Sequence, residues 1–304
     1  MKNLQTKLIL ISTLFFAITS FGQGCSDAGF CTMNSFKPNE NQNEKTKNNQ
    51  LKVGVFTGMA DQSISVYGNY IEYNRAINSK FGLDFKLTTL AQSGNSISTF
   101  GLADAFVNAN YALNNKLKLT LGAKIPLSNA NTFKNNTPLP MDYQASLGTF
   151  DVIFGLGYQI KKWQLATAVQ IPLTQNENQF FGPSFVAFNQ GLAGFQTTNR
   201  FKRSSDFLIR VSYPFEVAPK LKVTPSLLPI YHLANDKYTN ELFIENEIIG
   251  SKGLTLNGTI YLDYELNSSN SLQLNMGTPF IVRDARPDGL TRSFIANLEY
   301  RYKF

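Results

Sequence analysis

The chain has 304 residues, of which 43% are hydrophobic and 16% are charged, with two cysteines and one histidine. This count of cysteines excludes a disulfide-dense scaffold and any metal centre built from four thiolates, and one histidine excludes a site that needs two imidazoles. The formal net charge is +7, but the basic residues are dispersed along the chain, so we expect no binding to nucleic acid.

The beginning of the chain has the organisation of a secretory signal peptide. Lys2 and Lys7 supply a basic start, and an apolar run follows at residues 8–18. We expect residues 1–22 to be cleaved after export. The alternative is a lipoprotein signal in which Cys25 is the lipidated residue. After residue 22, no apolar run approaches the roughly 20 residues of a membrane helix.

Residues 23–50 are predicted to form an N-terminal segment and a polar linker. Cys25 and Cys31 are separated by five residues, and in an oxidising compartment they form a candidate disulfide. A free pair or a metal site is the alternative, although no histidine lies nearby. Residues 39–50 are polar and of low complexity, which is typical of a linker.

The remainder of the chain alternates between apolar and polar residues with a period of two. We find about twelve such segments of roughly 10–13 residues in residues 51–304, and this period is typical of β-strands. The last segment is the clearest. Its apolar face comprises Phe294, Ala296, Leu298, Tyr300, Tyr302 and Phe304, and its polar face comprises Ser293, Asn297, Glu299, Arg301 and Lys303.

The predicted connections alternate between short and long. Short turns are predicted at residues 114–115, 161–162, 217–219 and 267–270, and long connections near residues 92–101, 128–146, 174–203, 232–253 and 283–291. Short turns at one end and long loops at the other are typical of outer-membrane barrels. We therefore predict an all-β fold, a transmembrane antiparallel up-and-down barrel of about 12 strands over residues 51–304. The alternative is a secreted β-sandwich or lipocalin-like barrel, which would turn its apolar faces inward.

In a membrane barrel the polar faces of the strands line the lumen. A barrel of about twelve strands encloses a narrow or occluded pore, whereas sixteen or more strands leave a wide channel. The residues of both charge signs that we expect in this lumen are Asp84, Lys86, Asp104, Lys118, Lys124, Asp151, Arg210, Asp263, Glu265, Glu299 and Arg301.

The final residues LEYRYKF, with aromatic residues at alternate positions, resemble the C-terminal signal that the barrel assembly machinery of Gram-negative outer membranes recognises. The resemblance implies that Tyr300, Tyr302 and Phe304 act in assembly. It also implies a cell outer membrane location, with lipid and lipopolysaccharide as surroundings.

Within outer-membrane barrels, the chain resembles the channels for fatty-acid and aromatic-hydrocarbon uptake, including the phenol meta-pathway-associated transporters. That group has fourteen strands and an N-terminal luminal segment with an Asn-Pro-Ala motif. The part of this chain most similar to that motif is Lys37-Pro38-Asn39. The resemblance implies passive uptake of small solutes, hydrophobic or aromatic, and an N-terminal segment in the periplasm or the lumen. A non-conducting structural or assembly barrel that docks periplasmic or surface partners is the alternative.

Two long connections carry candidate site residues. Residues 179–195 are strongly apolar and are a candidate solute-binding loop, or a loop that packs on itself or its neighbours. Its aromatic residues are Phe180, Phe181, Phe185, Phe188 and Phe195. The other connection, residues 283–292, is a candidate pore mouth that could contact anions, or a rim paired within itself. Its charged residues are Arg283, Asp284, Arg286, Asp288 and Arg292.

A third hypothesis is an outer-membrane hydrolase that uses the single histidine, His232. No serine is adjacent to it in sequence, and Asp236 is the nearest carboxylate that follows. We therefore predict that the protein is not an enzyme and has no catalytic residue, cofactor or metal site.

Overall fold

The computed structural model describes residues 33–40, 47–182, 190–290 and 292–304. The predicted signal peptide, Cys25, Cys31, Phe185 and Phe188 lie outside the described residues, as does the side chain of Arg292. The structure therefore leaves the cleavage site and the candidate disulfide as predictions.

Twelve antiparallel strands form one closed sheet, which confirms the predicted barrel. Their bounds are β1 Asn49–Ala60, β2 Ser65–Ala76, β3 Phe81–Gly94, β4 Ile97–Ala112, β5 Leu117–Pro126, β6 Asp151–Ile160, β7 Trp163–Pro172, β8 Asp206–Ser212 continued by Phe215–Ala218, β9 Leu221–His232, β10 Gly253–Glu265, β11 Asn270–Ile281 and β12 Arg292–Lys303. Each strand pairs with its neighbour in sequence, and β1 pairs with β12, from Gln50 opposite Lys303 to Ala60 opposite Arg292. This last pairing closes the barrel and leaves no open edge.

The residue alternation of the strands sorts side chains between lipid and lumen. On β12, Phe294, Leu298, Tyr300 and Tyr302 point outward and are 41–47% exposed, whereas Asn297, Glu299 and Arg301 are buried inside. The other strands follow the same rule, and their buried lumen positions are largely polar or charged. An apolar exterior around a polar interior is the arrangement of a membrane barrel, so the soluble alternative is wrong.

The four predicted short turns all lie close to strand junctions at one end of the barrel, called here the short-turn end, which also holds the start of β1 and the end of β12. They are at residues 114–115, 161–162, 217–219 and 267–270. The opposite, long-loop end carries connections at residues 127–150, 173–205, 233–252 and 282–291. Two small hairpins lie in these loops, Phe133–Lys134 with Thr137–Pro138 and Lys237–Thr239 with Glu245–Glu247.

One predicted long connection, residues 92–101, is wrong. Strands β3 and β4 run through this region and are joined by Asn95 and Ser96 alone. Both residues have positive φ, 49° and 61°, which is the conformation that a tight two-residue hairpin turn requires and that asparagine tolerates. The small polar residues therefore mark a tight turn between two long strands, where we expected an open loop.

The described residues include short 3-10 turns at Asn34–Phe36, Asp61–Ser63, Met141–Tyr143 and Gln190–Leu192. None of the helices described is long and apolar enough to cross a membrane.

Candidate functional site

Residues 33–40, called here the luminal segment, lie inside the barrel. The segment begins with the turn at Asn34–Phe36, continues through Lys37 in extended conformation, and turns again at Pro38 and Asn39, where Asn39 has a φ of +65°. Asn34 contacts two wall residues, since its side-chain amide donates to Asp84 at 3.4 Å and its oxygen accepts from Lys52 at 2.6 Å. The lumen is therefore occupied by the chain's own N-terminal region.

Two charged side chains of the luminal segment complete ion pairs of the wall. Lys37 Nζ lies 2.7 Å from Glu299 on β12. Glu40 lies 3.0 Å from Lys52 Nζ on β1 and 2.8 Å from Arg301 on β12. All five side chains are buried, so each charge depends on its partner to offset lost hydration.

The wall charges also pair among themselves. Arg301 lies 2.5 Å from Glu299 and 3.4 Å from Asp263, and Lys52 lies 3.7 Å from Glu72. Of the charges expected in the lumen, Glu265 is exposed at the end of β10, and the others lie on the lumen side of their strands.

The opposite side of the lumen is apolar. Met33 and Phe36 of the luminal segment pack in one buried cluster with lumen-facing residues of β4 and β6 to β9. The wall members of the cluster are Phe106, Ile153, Ala166, Ala168, Leu208, Leu228 and Ile230. The luminal segment thus has one face matched to charges and one face matched to an apolar wall.

A cavity of about 150 Å³ lies at the short-turn end and reaches the luminal segment. It is lined by Ser35, Lys37, Asn39 and Glu40 of the segment, and by residues of the turns around Asn78 and Asn114. The lumen is thus accessible from this end as far as the segment, where side-chain contacts close it.

At the long-loop end, loop residues pack against the lumen-facing residues of β2 to β4. Phe180 and Phe195, candidates for solute binding, are buried in this cluster with Tyr143, Leu139 and other apolar residues. Phe181 is partly exposed. In this arrangement the two buried rings stabilise the loop, and a role in solute binding stays a prediction.

The candidate pore mouth, residues 283–292, is held by ion pairs. Arg283 donates to Asp288 at 2.9 Å, and Arg203 lies 3.5 Å from the same carboxylate. Arg286 bonds Asp61 in the β1–β2 turn at 2.7 Å, whereas Asp284 is exposed. Only Asp284 among these four loop residues is thus freely available to solvent.

Asp288 is buried, and its pKa reflects two opposed effects. Burial alone would raise the pKa, but Arg283, Arg203 and His232 outweigh it and hold the pKa below its usual range. The carboxylate therefore stays ionised. Its contribution to rim stability is present above the ordinary aspartate pKa of about 3.9 and is lost as the pH falls below that value.

His232 lies buried at the long-loop end of β9, between two carboxylates. Its Nδ1 is 2.6 Å from Asp206 and its Nε2 is 2.7 Å from Asp236. Since both ring nitrogens are engaged, neither can accept a proton from a nucleophile in this arrangement. The contact with Asp206 could not be recognised from the sequence, because Asp206 lies 26 positions from His232, on β8.

The rim loop also depends on a glycine. Gly289 has a φ of +63°, and a Cβ there would lie 2.6 Å from the backbone of Asp142. We expect Gly289→Ala to destabilise the docked loop by at least about 1 kcal/mol, measured as faster protease cleavage of the folded barrel at the rim. Gly157→Ala is the control, because its Cβ would meet only Lys118, at 3.9 Å. Equal cleavage of both variants would contradict the prediction.

Several residues of the lumen site were not among the sequence candidates. Asn34, Phe36 and Glu40 lie in a short stretch without strand or helix periodicity, which carries no signal of a binding partner. One feature of the sequence could have indicated that this stretch binds inside the barrel. Lys37 and Glu40 are opposite charges three positions apart, beside an aromatic residue.

No protein-family model matches the chain, and no curated protein matches it in sequence. Among solved structures, it is similar to a NanC porin, at 9% identity over 84% of this chain and 98% of that chain, with a TM-score of 0.44. It is also similar to the translocator domain of the autotransporter NalP from Neisseria meningitidis, at 8% identity, 86% and 90% coverage and a TM-score of 0.46. A Pseudomonas aeruginosa FadL homologue is similar at 8% identity, 85% and 91% coverage and a TM-score of 0.41.

Scores of this size do not choose among a porin, a translocator and a FadL homologue. Support for the architecture comes from the chain itself: twelve strands pair in a closed sheet, the exterior is apolar, and the lumen is polar. By these features the protein is a transmembrane antiparallel β-barrel, as its sequence pattern predicts.

Proposed function

We propose that the protein is an outer-membrane channel for passive uptake of small solutes, and that the luminal segment closes it. The observation that carries the proposal is the position of residues 33–40, which span the lumen between its charged and apolar sides. The segment is held by side-chain contacts, which a conformational change can exchange.

The wall supports such an exchange because its charges keep partners when the segment leaves. Arg301 would retain Glu299 and Asp263, and Lys52 would retain Glu72. Water entering the lumen would further reduce the cost of separating the segment's charges, since solvated ion pairs contribute little. The apolar side of the lumen supports uptake of solutes with a hydrophobic or aromatic part.

The hydrolase alternative has less support, because Asp206 and Asp236 occupy both nitrogens of His232. A non-conducting barrel remains the main competitor, and conductance separates it from a channel. If the orientation follows other outer-membrane barrels, the short-turn end faces the periplasm.

The test is conductance of the refolded protein in a planar lipid bilayer. We expect the Lys37→Met/Glu40→Gln double variant to show single-channel steps several-fold more often than the native chain, because the three ion pairs of the segment are lost. A chain lacking residues 23–46 should stay open. The control is Lys47→Met/Glu265→Gln, which changes a partly exposed lysine and an exposed glutamate near the same end.

Heat-dependent gel mobility establishes that each variant is folded. Silence from a folded deletion variant would overturn the channel and favour a structural or assembly barrel. Equal conductance of the native chain and both luminal variants would overturn closure by the segment.

A further inference from the structure

A buried arginine in the lumen has no acidic partner in the part of the chain that the structure describes. Arg210 lies on the lumen face of β8 and is 2% exposed. Its Nη1 donates to the backbone carbonyl of Phe36 at 2.6 Å, and its guanidinium lies 5.8 Å from the ring centroid of Tyr261. Its Nε has no hydrogen-bond partner among the residues that the structure describes. A buried guanidinium that is balanced by no carboxylate is a strong attractor for an anion.

The same region of the wall has a recess shaped for a ring. The Phe36 side chain occupies the position where a Cβ of residue 155 would stand, so only glycine at Gly155 admits it. Ala168 lies opposite Gly155 on β7, and its small side chain leaves the same space open. Leu208 on β8 belongs to the same buried cluster. The recess is therefore apolar and close to the size of one aromatic ring.

The strand register places the recess beside the arginine. Gly155 is opposite Ala168 on β7, and Ala166, two residues away on the same strand, is opposite Arg210. Two residues along a strand span about 7 Å. This separation suits a molecule that carries a ring and an acidic group on a short spacer.

Phe36 itself presents these two groups, a ring in the recess and a carbonyl oxygen on Arg210. A carboxylate would interact with the guanidinium more strongly than a neutral carbonyl, because the opposite charges attract and the planar guanidinium can donate two parallel hydrogen bonds to a carboxylate. We infer that Gly155, Ala168, Leu208 and Arg210 form a binding site for small aryl carboxylates, which Phe36 fills in the closed barrel. The inference rests on the proposed function and names its solute class. Binding of the solute and withdrawal of Phe36 are then coupled, because both compete for one site.

The experiment is calorimetric titration of the refolded full chain in detergent with 3-phenylpropanoate. We expect Phe36→Ala to bind it at least about tenfold more tightly than the native chain, because the competing ring is removed. Adding Arg210→Met to this variant should weaken binding about tenfold or more, the loss expected for a charged hydrogen bond. Adding Gly155→Val instead should block the recess.

Propanoate, which lacks the ring, and 2-phenylethanol, which lacks the charge, are the matched probes and should bind at least about tenfold more weakly. Phe36→Ala/Arg75→Met is the matched variant, because it removes an exposed arginine at the end of β2, and it should bind like Phe36→Ala. Heat-dependent gel mobility shows that each variant is folded, and Gly155→Val supplies a second test if Arg210→Met does not fold.

No binding to folded Phe36→Ala would overturn the site. Equal binding of 2-phenylethanol, or no effect of Arg210→Met, would overturn the carboxylate class. Because the titration needs no conductance, binding by a barrel that never conducts would support this site and count only against the channel.

Discussion

Replacing Glu299 by glutamine is expected to lower the free energy of unfolding by about 3–5 kcal/mol, the usual cost of removing one partner from a buried ion pair. Glu299 accepts hydrogen bonds from Lys37 at 2.7 Å, Tyr70 at 2.5 Å and Arg301 at 2.5 Å. The variant leaves the charges of Lys37 and Arg301 buried with one fewer negative partner. The measurement is a urea unfolding curve of the refolded barrel in detergent, followed by loss of folded gel mobility.

The control is Glu265→Gln, the same change at an exposed position of β10, which should shift the curve little. A double variant, Lys37→Met/Glu299→Gln, should lose less stability than the sum of its single variants, because the unpaired lysine is removed together with its partner. Additive losses would mean that the luminal segment is not coupled to β12 in solution.

Replacing Phe304 by alanine is expected to reduce the amount of folded barrel in the outer membrane several-fold. The resemblance of the last residues to an assembly signal motivates this prediction. In the structure Phe304 is 49% exposed and its ring stacks on Tyr302 at a centroid distance of 5.3 Å. Its backbone pairs with Asn49 through N–H to carbonyl contacts of 2.9 and 3.1 Å, and alanine retains these.

The loss should therefore arise in assembly, and the urea midpoint of refolded Phe304→Ala in detergent should remain close to that of the native chain. Phe215→Ala is the matched control, since Phe215 is also an outward ring, 50% exposed, with Tyr213 as an aromatic neighbour. If both variants accumulate equally in the membrane, the terminal ring has no special part in assembly. If Phe304→Ala fails in detergent as well, its role is structural.

The two loops that we selected by composition show that the local sequence alone does not define how a loop packs. Phe180 and Phe195 are apolar loop residues, which fits either a solute-binding surface or a packed loop, and the structure buries both. Arg283 and Asp288 lie close in sequence, so their pairing with each other is local, whereas the position of Arg203 on the same carboxylate depends on a separate loop. In both loops the packing depends on neighbours distant in sequence, and the roles in solute binding and at the pore mouth stay predictions.

The amino-acid sequence by itself predicted the barrel, a strand number of about twelve, the lipid and lumen faces and most short turns. The physical reason is that a strand exposes alternate residues to opposite surroundings. The sequence of a single strand such as β12 therefore shows which side chains face lipid and which face the lumen. The tertiary structure alone decided what fills the lumen. Lys37 and Glu299 are separated by 262 positions, and Arg210 and Phe36 by 174. No local pattern encodes such contacts, because they exist only once the sheet has closed around the segment.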